Sequence, residues 1–188
     1  MTDHAVQHAS SYVTLAAGSQ RYLVAAESVT EVVGLQPLTR VPKMPACVSG
    51  LMNLRGTVLP VIDLALKLGF PSTEITPRTC IVVVSTNVDG AATPMGVIVD
   101  EVIDVVTLPA AAIDPPPNFG SPIDVAYLTG ITRTEERYVL VLDLTRILAP
   151  DEILAVTRRR EGSTAESSSA PAAPTRRRKG KDGGTARR

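Results

Sequence analysis

Along residues 12–142 the apolar positions fall in short runs of Val, Ile and Leu, broken by Gly, Pro, Asn and Asp. Branched side chains suit the pleated surface of a strand, and the breakers mark turns. The pattern predicts ten strands, over residues 12–16, 21–25, 29–33, 50–54, 58–62, 79–85, 95–99, 102–106, 127–131 and 138–142. Gly18-Ser19 and Asp89-Gly90 supply tight turns between neighbouring strands, because glycine tolerates the positive φ such turns need. Helical stretches are few and short: one after Pro45, one over 65–68, one over 145–148, and a last from Pro150 to about Arg159. In that last segment Pro150 suits a first helical position, Asp151 and Glu152 face the positive end of the helix dipole, and Arg158 to Arg160 face the negative end.

The strand pattern occurs twice. Gly50, Val61, Asp63 and Leu64 return as Gly130, Val141, Asp143 and Leu144, 80 residues later. Upstream, Val24, Glu27, Val29, Glu31, Val32 and Val33 match Val97, Asp100, Val102, Asp104, Val105 and Val106 at an offset of 73. The extra residues of the second copy are accounted for by the loop holding Pro115-Pro116-Pro117. Five strands per half give an all-β fold of two small barrels.

The repeat is also an internal control: positions common to both copies serve the fold, and positions special to one are released for a task. Asp63 and Asp143 each precede a short helical pattern and read as caps for backbone N–H groups. Asn53-Leu54-Arg55-Gly56, by contrast, stands opposite Arg133-Thr134-Glu135-Glu136, so the asymmetry falls on Arg55. Glu31, among valines on a strand of the same half, is its expected acid partner. A guanidinium grips a carboxylate through two parallel bonds, which lysine cannot do. The plainer reading of Arg55 is a solvated residue capping a hairpin.

Composition narrows the function. With 188 residues and 44% of them apolar, the chain can bury a core. Aromatic residues make up 3% and Trp is absent, leaving few stacking platforms for single-stranded nucleic acid. The net charge of zero divides sharply: residues 1–156 hold 9 basic and 16 acidic residues, a charge of −7, and residues 157–188 hold 10 basic and 3 acidic residues, a charge of +7. The expected organisation is a flexible N-terminus over 1–10, a folded region over 11–156, and a disordered Ala/Ser/Pro-rich basic tail over 157–188. A cytoplasmic protein is expected, since there is neither a signal-peptide pattern nor an apolar run of membrane length. Cys47 and Cys80 are expected to be buried thiols.

No catalytic constellation is present in the sequence. His4 and His8 lie in the polar N-terminus without metal-ligand spacing, and no phosphate loop or nucleophile with a histidine base occurs in the folded part. Strand alternation puts Asp100 and Glu101 on opposite faces, so with Asp104 they read as a solvated acidic edge instead of an acid–base pair. The expectation is a protein that is not an enzyme, with no metal, cofactor or small-molecule substrate.

On these residues the sequence resembles the CheW-type coupling proteins of bacterial chemotaxis. The similarity runs from about Ser11 to Val156, and its most specific element is Gly50 to Leu64, centred on Asn53-Leu54-Arg55-Gly56. Pro45-Ala46, Leu128-Thr129-Gly130 and Asp143 also fit. The resemblance implies two intertwined five-stranded SH3-like barrels with short helices. It further implies an adaptor, without catalysis or cofactor, that links the cytoplasmic tip of chemoreceptors (methyl-accepting chemotaxis proteins) to the regulatory domain of a CheA-type histidine kinase. The receptor tip is then expected in an apolar groove between the barrels, the kinase domain paired with one barrel, and the membrane reached only through receptors. Glu31 and Arg55 match the family's acid and arginine, while Val29, Val33, Gly50 and Asn53 match positions around its receptor-binding region; Leu54 and Gly56 complete the candidate partner-binding set.

Three departures stand out: Cys47 in place of a larger apolar residue, two prolines and Lys43 within 41–46, and the basic tail. The tail reads as a solvated tether. Attraction to an acidic partner or membrane surface, and salt-sensitive contact with nucleic acid, are its alternatives. The rival function is a small β-barrel nucleic-acid-binding protein that uses this tail, against which the acidic body and the scarcity of aromatics count.

Overall fold

The structure, a computed structural model, describes residues 9–88, 91–116, 125–134 and 137–148. His4, His8, the Asp89-Gly90 turn, Glu135, Glu136, the segment from Pro150 and the basic tail lie outside the described residues. Within them run eleven strands: β1 Ala9–Ala17, β2 Gln20–Ala25, β3 Val29–Gly34, β4 Val48–Leu54, β5 Thr57–Asp63, β6 Cys80–Val88, β7 Ala91–Val99, β8 Glu101–Pro109, β9 Ile113–Asp114, β10 Leu128–Thr134 and β11 Arg137–Leu142. The ten expected strands are all present. The addition is β9, two residues beside the proline run, too short to show alternation.

Among the described residues α-helix is limited to α1 Leu64–Lys67 and α2 Leu144–Ile147, each opened by the expected aspartate. Asp63 accepts the Leu66 N–H at 3.2 Å, and Asp143 accepts the N–H groups of Thr145 at 3.0 Å and Arg146 at 3.2 Å. The helix expected after Pro45 does not form. A single turn, Val48 N–H to Pro45 O at 2.9 Å, leads directly into β4, leaving too few residues to repay helix nucleation. Gly18 and Ser19, at φ 59° and 65°, form the tight turn between β1 and β2.

The strands form two sheets, in the orders β8-β1-β2-β11-β10-β9 and β3-β6-β7-β5-β4. Each strand pairing of the five-stranded sheet has its copy in the six-stranded one, and the β9–β10 pair is additional. Leu128 and Gly130 face Leu142 and Val141 across a bulge, as Val48 and Gly50 face Ile62 and Val61. The barrels are not the two sequence halves, however. Leu142 pairs in parallel with Val24, and Ile62 with Val97, so each copy's fifth strand lies beside the other copy's second. The second barrel is the contiguous segment from β3 to β7, and the first is assembled from both flanks of that segment.

Two apolar clusters hold this arrangement. The larger joins the sheets: Leu15, Tyr22 and Val24 of the first meet Val82, Val84 and Val97 of the second, with Leu64 and Ile147 from the helices. The smaller, Met52, Leu59, Val61, Ile81, Val83 and Ile98, belongs to the second barrel. Strand β6 feeds both by alternation, which explains its nearly unbroken apolar run. At the first-barrel positions equivalent to Val83 and Met52 stand Thr14 and Thr132, both buried. Thr132 donates its hydroxyl proton to Ala112 O at 2.7 Å.

Candidate partner-docking site

Strands β4 and β5 form a hairpin whose last pair, Leu54 with Thr57, leaves Arg55 and Gly56 as a two-residue loop. Both loop residues are left-handed, Arg55 at φ 52° and Gly56 at φ 90°. This geometry follows the twist of the strands and comes naturally to glycine. For arginine, whose Cβ crowds the next carbonyl, it costs about 1–2 kcal/mol. The Asn53 side chain caps the loop, its Oδ1 accepting the Gly56 N–H at 2.8 Å.

From this turn Arg55 reaches β3. Its Nη2 donates to Glu31 Oε2 at 2.8 Å and its Nη1 to Glu31 Oε1 at 3.3 Å, the two-bond grip expected of the pair. Strands β3 and β4 are the two edges of the second sheet, so the ion pair clasps the barrel across its open seam. Beneath it, Val33 of β3 and Met52 and Leu54 of β4 meet in the smaller cluster. The Arg55 side chain is 77% exposed and that of Glu31 24%. At such exposure the pair adds about 0–1 kcal/mol, so stability does not explain an arginine held in a disfavoured conformation.

The other candidate residues divide. Val29 and Val33 are half-buried, Val29 against the larger cluster and Val33 against the smaller. The exposed apolar side chains nearby in sequence are instead Val32 at 45% and Val58 at 51%. Val32 matches Val105 at the same offset that relates Val29 to Val102 and Val33 to Val106, and Val105, at 63%, is exposed as well. Gly50 is buried at φ 149°, and a Cβ there would stand 2.6 Å from Thr39 O. Thr39 and Leu51 exchange backbone hydrogen bonds of 2.9 Å across this contact. Gly130 meets Asp114 O in the same way, so close backbone approach is a property of both copies.

A half-open cavity of about 540 Å³ lies beside Gly50, with Leu38, Arg40, Lys43, Ser49 and Ile75 in its wall. Neither Arg55 nor Glu31 borders it. The carboxylate there, Asp63, is fully engaged by Leu66, Ser72 and Thr73. Among the described residues, no group of three His, Cys, Asp or Glu side chains could hold a metal ion, and no helix is long and apolar enough to cross a membrane. In the acidic edge, Glu101 pairs with Arg78 at 3.1 Å while Asp100 accepts the Ser19 N–H at 3.5 Å. Cys47 and Cys80 form no disulfide and are half-buried instead of buried, since both sit at strand starts on the barrel rim. Burial pushes the Cys80 thiol pKa up, and nearby Glu101 adds to the rise despite an opposing backbone hydrogen bond.

Comparison with known proteins places this geometry in a family. The CheW-like domain family matches residues 11–152. The probable chemotaxis protein CheW of Rhizobium etli is 33% identical over 135 residues, 72% of this chain and 84% of that protein. Protein FrzA of Myxococcus xanthus is 32% identical over 143 residues, 75% of this chain and 86% of its own length. Among solved structures, the scaffolding protein TtCheW from Thermoanaerobacter tengcongensis superposes with a TM-score of 0.70 at 28% identity, covering 82% of this chain and 98% of that one. The relatives named here lend no support to the nucleic-acid alternative. The match spans both barrels, the clasped seam and the strand pairing between the copies, and the chain belongs to the CheW-like domain family.

Proposed function

We propose that the chain is a non-enzymatic adaptor of a bacterial chemosensory pathway, coupling chemoreceptors to a CheA-type histidine kinase in the cytoplasm. Its receptor-docking site is centred on Arg55 and Glu31, with Val29, Val33, Gly50, Asn53, Leu54 and Gly56 as the surrounding framework. The observation that carries this reading is the Arg55–Glu31 clasp: an exposed, two-bond ion pair on a disfavoured backbone. Family membership and the chemotaxis names of the relatives support it. Half-buried Val29 and Val33 fix the edge strand, exposed Val32 offers apolar contact, and the charge pair sets orientation. Such a module binds modestly on its own and gains avidity in an array.

The test is capture of receptor and kinase fragments by the intact chain, by a form ending at Val156, and by Arg55→Glu. Truncation is expected to preserve coupling, and Arg55→Glu to abolish it while keeping a cooperative melt. Coupling that depends on the tail and ignores Arg55 would overturn the assignment.

A further inference from the structure

The turn that presents Arg55 runs against that residue's own preference, and one neighbouring side chain holds it. Two-residue loops with both φ positive favour Asn or Asp at the first position, because short polar side chains tolerate the left-handed region. Here that position is Arg55. The asparagine comes two residues earlier, as Asn53, the last residue but one of β4. Asn53 is exposed, so burial gives no reason for it, and among its side-chain atoms the engaged one is Oδ1, on the Gly56 N–H. This bond closes a ring over Leu54, Arg55 and Gly56 and ties down the left-handed backbone from outside. From that backbone the guanidinium fork meets Glu31. Relaxation of Arg55 to an extended φ would turn its Cα–Cβ bond away and withdraw the fork.

The second copy supplies the contrast. The counterpart of Asn53 is Arg133, whose side chain has donors only and cannot accept a loop N–H. Acceptor and loop arginine therefore occur together in one half and are both missing from the other, although the acid is kept as Asp104.

We infer that Asn53 is the positioning residue for Arg55: it fixes the turn from which the guanidinium grips Glu31, and it influences a docked partner only through that arginine. The second clause rests on the docking reading above, and the experiment separates the two. In the full chain, Glu31→Ala, Arg55→Ala and the double variant give the Glu31–Arg55 coupling in thermal melts, in the native background and with Asn53→Ala or Asn53→Asp. Affinity for a soluble fragment of the chemoreceptor cytoplasmic tip is measured on the same set.

With Asn53→Ala the melt is expected to stay cooperative, the Glu31–Arg55 coupling to vanish, and the fragment to bind about tenfold more weakly, with no further loss when Arg55→Ala is added. Asn53→Asp keeps the acceptor and should restore both readouts. Coupling that survives Asn53→Ala overturns the inference, as does an affinity loss that adds to that of Arg55→Ala, which marks a direct contact. Lost coupling with unchanged fragment affinity in every variant upholds the positioning role and overturns the docking reading.

Discussion

Asp63 accepts the hydroxyl proton of Ser72, nine residues along the chain, at 2.7 Å, whereas its copy Asp143 accepts a hydroxyl proton from Thr145, within the cap itself. To Asp63, Thr73 adds its backbone N–H at 2.9 Å and its hydroxyl at 3.0 Å. The shared aspartate thus caps a helix in both halves, and in the first it also anchors the segment that joins the halves. Asp63 is 2% exposed, whereas Asp143 is half-exposed beside Arg146.

Asp63→Ala should therefore cost about 2–4 kcal/mol, because the cap is lost and buried donors lose their acceptor. Asp143→Ala should cost about 1 kcal/mol, the worth of a cap. Urea titrations of the two variants check the difference; equal costs would mean that the linker contacts contribute nothing.

Arg55→Asn should separate stability from coupling. Asparagine accepts the left-handed region, so the relieved strain offsets the lost surface pair and stability should stay level or rise by about 0.5–1 kcal/mol. Binding of the receptor fragment should fall with the loss of the guanidinium. A melt together with a titration shows whether the two properties move apart.

Gly50→Ala and Gly130→Ala should behave alike. Each places a Cβ 2.6 Å from a backbone carbonyl oxygen, and a destabilisation of about 2 kcal/mol or more is expected for both. Comparison of their denaturation midpoints distinguishes a fold role from a docking role. If Gly50→Ala melts like the parent and still loses partner binding, Gly50 belongs to the contact surface.

Alkaline pH should unfold the chain through Tyr22. Burial raises its phenol from the ordinary 10.0 to about 12. The folded state then holds the proton more tightly than the unfolded state, so the benefit is complete below pH 10.0 and is lost as pH climbs towards about 12. Melting temperatures measured across that window should fall, and Tyr22→Phe should flatten the slope. An unchanged slope would place the alkaline sensitivity elsewhere.

The strands were legible because branched residues and turn-formers alternate cleanly, and the caps because Asp63 and Asp143 recur in one frame. The strand exchange was not legible. Offsets identify Val24 with Val97 and Ile62 with Leu142, yet they cannot say which copy supplies a neighbour, since both choices bury the same side chains. The Arg55–Glu31 pair followed from the asymmetry between copies; the conformation of Arg55 did not, because Arg-Gly carries no primed-turn signal. Val32 shows the opposite failure, a residue common to both halves that is nonetheless exposed.

Nesting one barrel inside the other imposes an order on synthesis. Once Val99 has left the ribosome, every strand of the second barrel is available, including the edges that Glu31 and Arg55 join. Strands β1 and β2, made first, still await β8, β10 and β11 and carry unpaired edges in the meantime. The nascent chain thus presents its proposed docking surface early and its aggregation-prone edges longest, which makes the C-terminal strands the step on which clean folding turns.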